Sequence, residues 1–199
     1  MAVPTETQAF PQGLVREFVL ASHFDLAKVK QLLAEHPSLL TVQFDWGPGG
    51  LEDGLAAASH VGNRDIAEFF LAKGVPLNIC AAAMLGRFDD VNRFLASDPA
   101  LANTRGAHGI TVMFHAVMSG DLRIAETLRA HGCKEGFSYA IHGAINFSHK
   151  DMVVWLLANG ATMMNALDYQ NKTLLSRAIE MNLPEIADLL RQHGATETA

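Results

Sequence analysis

Nine histidines stand in this chain of 199 residues. Three of them, His60, His108 and His115, come from neighbouring stretches that also hold Asp45, Glu52 and Asp53. A carboxylate beside an imidazole can do general acid–base work, one group taking the proton that the other releases. Asp45, Glu52, His60, His108 and His115 would form such a pocket if the long segment 41–53 folded over them, with Trp46 as an apolar wall. The pocket would bind a small molecule or act as an acid–base catalyst. A plainer reading stands beside it. Asp45 and Asp53 are ordinary turn and capping residues, Trp46 seals a loop, and the histidines face a groove. Trp46 also fits a third role, as an anchor for a partner, because exposed aromatics carry much binding energy.

Other chemistry finds no support. His108 and His115 lie seven apart, as do His142 and His149, but Gly109 and Ser148 interrupt any helix that would join them. There is no H-E-x-x-H and no Cys/His cluster, so no metal site is expected. No cofactor is expected either: G-x-G-x-x-G, the phosphate loop and the G-x-S-x-G elbow are all missing. Gly47-Pro48-Gly49-Gly50 lacks a lysine and is followed by acids, so it reads as a loop. Cys80 and Cys133 are far apart and read as free thiols, Cys80 buried and Cys133 more exposed, in a reducing cytoplasm.

The elements that must position these side chains repeat. Gly62 to Gly74, Gly120 to Gly132, Ser148 to Gly160 and Asn182 to Gly194 share a 12-residue spacing. Ile66, Ile124, Met152 and Ile186 recur at one offset, and Phe70, Leu128, Leu156 and Leu190 recur four residues later. That interval places both sets on one helix face. Asn63, Asp121, Ser148 and Asn182 stand where N-caps belong. A preceding helix is marked by Ala58, Ala116, Ala144 and Ala178. Segments around Val29–Leu33 and Val91–Leu95 complete the series, each closed by a proline. Six helix pairs follow, with units at 12–40, 51–76, 77–102, 109–134, 137–162 and 171–195, all in one all-α domain. Connections before Cys80 and Tyr139 should be trimmed to short turns, whereas 41–53 is long.

Thr111-Val112-Met113-Phe114-His115-Ala116 and Thr173-Leu174-Leu175-Ser176-Arg177-Ala178 resemble the T-P-L-H-x-A signature of ankyrin repeats, and Gly160–Asp168 resembles the family's connecting segment. The chain is therefore similar to an irregular ankyrin-repeat solenoid. Phe44–Gly47, Ala57–Gly62 and Ala83–Gly86 resemble a bacterial subgroup. The resemblance implies a protein–protein interaction module that recognises an unknown protein partner on its concave face. It also implies a structural hydrogen-bonding role for His142.

If the alanines point into the stack, Trp46, His60, His115, Met118, Asn146 and Arg177 are candidate partner contacts. Catalytic residues are not expected on this reading. The net charge of −6 argues against a nucleic-acid face and favours a basic or neutral partner. No run of 18 apolar residues exists, and the start Met1–Thr7 has no secretory pattern, so neither a membrane span nor export is expected. Weak self-association through the end units is a further expectation.

Overall fold

The structure is a computed structural model that describes residues 10–48 and 50–198. The start Met1–Thr7 and Gly49 therefore lie outside the described residues. Twelve α-helices among the described residues form six consecutive pairs: α1 (Gln12–Phe24) and α2 (Leu26–Glu35), α3 (Gly54–Val61) and α4 (Arg64–Ala72), α5 (Ile79–Leu85) and α6 (Phe88–Ser97), α7 (Val112–Ser119) and α8 (Leu122–Ala130), α9 (Phe137–Asn146) and α10 (Lys150–Ala158), α11 (Leu174–Glu180) and α12 (Pro184–Gln192). First helices pack on first helices, in the order α1, α3, α5, α7, α9, α11. The second helices α6, α8, α10 and α12 pack in the same order behind them. This is an all-α repeat solenoid, in which no pair could bury its apolar face alone.

The recurring apolar positions explain the stacking. Ile66, Ile124, Met152 and Ile186 are buried, as are Phe70, Leu128, Leu156 and Leu190 one turn later. Ala58, Ala116, Ala144 and Ala178 have no exposed surface, which lets the first helices approach closely. All seven residues of α5 are buried. That packing is tighter than an outward-facing pattern would allow: His115 and Met118, expected to face outward, are buried as well.

Capping divides the units in two groups. Asp53, Asn63, Thr111, Asp121 and Thr173 each accept a backbone N–H in the first turn of a helix. Ser148 and Asn182 do not. They sit at φ +59° and +54°, in the left-handed conformation that Gly62, Gly86 and Gly120 adopt at the end of other first helices. They close α9 and α11 instead of opening α10 and α12, at a steric cost that glycine avoids.

The described strands are β1 (Gln43–Asp45) and β2 (Leu51–Asp53), an antiparallel hairpin with Phe44 opposite Glu52. The connections before α5 and α9 are short and carry no strand. Along β2 the usual alternation is inverted: Leu51 is 57% exposed and Glu52 only 1%. Burying a carboxylate while exposing its leucine neighbour opposes the hydrophobic drive, so another interaction must hold this register.

Two substitutions should act in opposite directions. A Cβ on Gly120 would lie 2.7 Å from the His149 ring at a φ of +75°, so Gly120→Ala should cost about 1–3 kcal/mol. Ser148→Gly relieves the same conformation and should gain up to about 1 kcal/mol. Urea midpoints of the two variants check both signs.

Candidate functional site

Glu52 is held facing inward by β2, and its side chain has no exposed surface. Trp46, at the hairpin turn, donates its indole N–H to Oε2 at 2.9 Å. The hairpin's other side is braced by Phe44, whose ring packs edge-on against Trp46, and by Arg16 over the indole face. Three imidazoles converge on the carboxylate from three elements. His23 Nε2, from the end of α1, is 3.4 Å from Oε2. His60 Nδ1, from the end of α3, is 2.8 Å from Oε1. His108 Nε2, from the 3-10 turn Ala107–Gly109, is 3.5 Å from Oε1. The rings of His23 and His60 are 4.9 Å apart, and those of His60 and His108 5.1 Å.

The contacts differ in kind. His60 Nδ1 and Glu52 Oε1 are close, yet neither completes an aligned hydrogen bond, and both atoms are buried. His23 is fixed from behind: its Nδ1 lies 2.9 Å from the Val19 carbonyl oxygen. A carbonyl only accepts, so Nδ1 carries the proton and donates it. Burial lowers the His23 pKa, against the opposing pull of Glu52. Burial alone would raise the Glu52 pKa, but the imidazoles of His60, His23 and His108 outweigh it and the carboxyl titrates lower than usual. His23 is thus held through Nδ1 by the Val19 carbonyl, with its Nε2 facing Glu52 Oε2 at 3.4 Å.

His23, His60 and His108 also form one end of a cleft of about 710 Å³. Its walls come from the ends of α1 and α3, from the 105–111 turn, and from α7 and α9. They are mainly apolar, with Phe24, Phe114, Tyr139, Phe147 and Tyr169 as the aromatic surface. Phe24 and Tyr169 are 75% and 77% exposed. Of the candidate contacts, His60, Met118 and Asn146 line this cleft. Arg177 does not; its Nε donates to Asn146 Oδ1 at 2.8 Å and orients that amide.

The other expected site residues are placed elsewhere. Trp46 does not line the cleft, and its indole serves Glu52 from the hairpin side. Asp45 accepts the Gly47 N–H in the hairpin turn, at 2.9 Å. His115 is buried against the Thr111 carbonyl, 2.9 Å from its Nδ1, and borders a smaller cavity with Cys80. It belongs to the buried interior rather than to an outward face. His142 is buried too; burial lowers its pKa against the pull of Asp168 and the Ala166 backbone in the 160–168 turn, to which its ring makes no well-aligned hydrogen bond. Cys133 is buried rather than exposed, like Cys80, whose thiol is pushed up to about 12 by burial.

The sequence reading missed His23, though a signal was present. Ala21-Ser22-His23 repeats as Ala58-Ser59-His60 at the end of the next first helix, and in both copies the serine hydroxyl bonds the carbonyl four residues back.

A family model described as ankyrin repeats in three copies matches residues 113–199. Over this C-terminal part the chain is similar to ankyrin-repeat proteins. No curated protein matches it. Ankyrin repeats generally serve as protein–protein interaction modules. Glu52 and its three imidazoles precede the matched repeats, while much of the aromatic cleft wall lies within them. No described helix is long and apolar enough to cross a membrane.

Acid should reveal the buried histidine. Burial lowers the His115 pKa to about 4. The folded state then holds a neutral ring where the unfolded chain takes up a proton. The resulting stability is whole above pH 6.5 and is lost as pH falls toward about 4. His115→Gln removes this titration while leaving an amide donor for Thr111. Between about pH 7 and pH 4 the wild type should lose on the order of 3 kcal/mol more than the variant, as read by urea unfolding at each pH.

Proposed function

We propose that this repeat protein recognises a segment of a partner protein in the aromatic cleft along its first helices. The observation that carries this reading is the cleft itself: about 710 Å³, mainly apolar, with Phe24 and Tyr169 exposed at its mouth. Exposed aromatics beside a preformed apolar channel are the features of an energetic anchor site. The cleft draws on units from His23 to Tyr169, which suits an extended chain better than a compact ligand. His60, Met118 and Asn146 supply contacts, Asn146 being oriented by Arg177. The net charge of −6 favours a basic or neutral segment. Two free thiols and the resemblance to a bacterial subgroup support a bacterial cytoplasmic setting. A second reading, a small-ligand or acid–base pocket, is favoured by one observation, the convergence of Glu52 with His23, His60 and His108.

Peptides selected on the whole chain from a random display library provide the test. Tyr139→Ala and Phe24→Ala should each weaken the selected peptides by at least about 10-fold. Val154→Ala, on the exposed face of α10, should leave them unchanged. Peptides insensitive to both aromatic substitutions would place recognition elsewhere.

A further inference from the structure

The Glu52 cluster leaves buried polar atoms without aligned hydrogen bonds. A carboxylate with no exposed surface receives one aligned side-chain hydrogen bond, from Trp46 to Oε2. Its other oxygen, Oε1, has none, and neither does the buried His60 Nδ1 that faces it at 2.8 Å. His23 Nε2 faces Oε2 at 3.4 Å, its Nδ1 being committed to the Val19 carbonyl. Buried polar atoms left without aligned hydrogen bonds are costly, and one bound cation would satisfy several of them together.

We propose that His23 Nε2, a Glu52 carboxylate oxygen and His60 Nδ1 bind a divalent transition ion of the zinc type. One donor atom from each of the three lies within 4.8 Å of the others. Bonds of about 2.0–2.2 Å to a shared ion need donors somewhat over 3 Å apart, so small rotations suffice. Two imidazoles and a carboxylate form a donor set that zinc uses where one coordination position is left for another ligand. The outer shell is also in place. The Val19 carbonyl fixes the His23 tautomer and the Trp46 indole N–H orients the carboxylate, as outer-shell groups do around bound metals. His108 Nε2 approaches from the cleft side, 3.5 Å from Oε1, with its side chain 38% exposed. It supplies the fourth donor, and a ligand entering the cleft would displace it.

Zinc titrated into metal-free, tag-free full-length protein should bind one ion per chain, at micromolar concentration or tighter. Cobalt in its place should give visible absorption bands of a low-symmetry site. In the wild-type protein, two-bond ¹H–¹⁵N spectra should show Nε2 of His23 and Nδ1 of His60 moving to metal-bound positions. Glu52→Gln and His60→Asn should each weaken binding by at least about 100-fold, and Trp46→Phe by about 10–100-fold. His36→Asn should have no effect. The wild-type spectra make the result independent of whether any variant folds. Absence of stoichiometric binding at 100-fold excess zinc would overturn the proposal. So would saturation that leaves the His23 and His60 signals unmoved. Neither result depends on the cleft taking a peptide.

Discussion

Glu52 is a carboxylate removed from water, and the N-terminal part of the molecule is arranged around it. Its inward position runs against the hydrophobic pattern of its own strand, since Leu51 is left in solvent. Such a register survives only if the anion is compensated, because an uncompensated buried charge costs several kcal/mol or more. The compensation comes from several elements: Trp46 on the hairpin, His23 on α1, His60 on α3 and His108 before α7. Four segments are thereby tied to one side chain. The Asn63 amide adds to the tie by donating to the His23 carbonyl oxygen at 3.0 Å, binding the first unit to the second.

The helical spine was legible in the sequence because its signal is local. A buried stripe on a nine-residue helix needs only the four-residue interval, and Ile66 with Phe70 or Ile124 with Leu128 states it directly. The inner helices were harder to read. On a helix such as α5, where every side chain is buried, no outward face exists to be inferred. An alternation argument then assigns His115 to a surface that is absent. Ser148 and Asn182 were misread for a related reason. Their side chains suit a cap, but the backbone at that point is finishing one helix rather than starting the next.

The site was half legible. Glu52, His60 and His108 could be grouped because stacking brings neighbouring units together, but the inward orientation of Glu52 rests on hairpin register, which composition does not encode. His23 escaped because its helix ends at Asp25 without the glycine that closes α3, α5 and α7, leaving only the echo of Ser22-His23 in Ser59-His60. Asp45 fell out because Gly47 sits at a φ of +110° and turns its N–H toward that carboxylate, which closes the hairpin.

The irregular connections are what make the cluster possible. His108 belongs to the turn before α7, two units beyond α3, yet that turn packs against both β2 and α3. It reaches them because the connection preceding α5 is short and carries no strand, so nothing stands between the long hairpin of the second unit and the turn of the fourth. A regular finger there would separate His108 from His60. The buried α5, built from Ile79, Cys80, three alanines, Met84 and Leu85, lies in the middle of the stack. Deletion in one connection and extension in another therefore act together. The first makes room, the second delivers the carboxylate, and the result is a polar centre at one end of an apolar cleft.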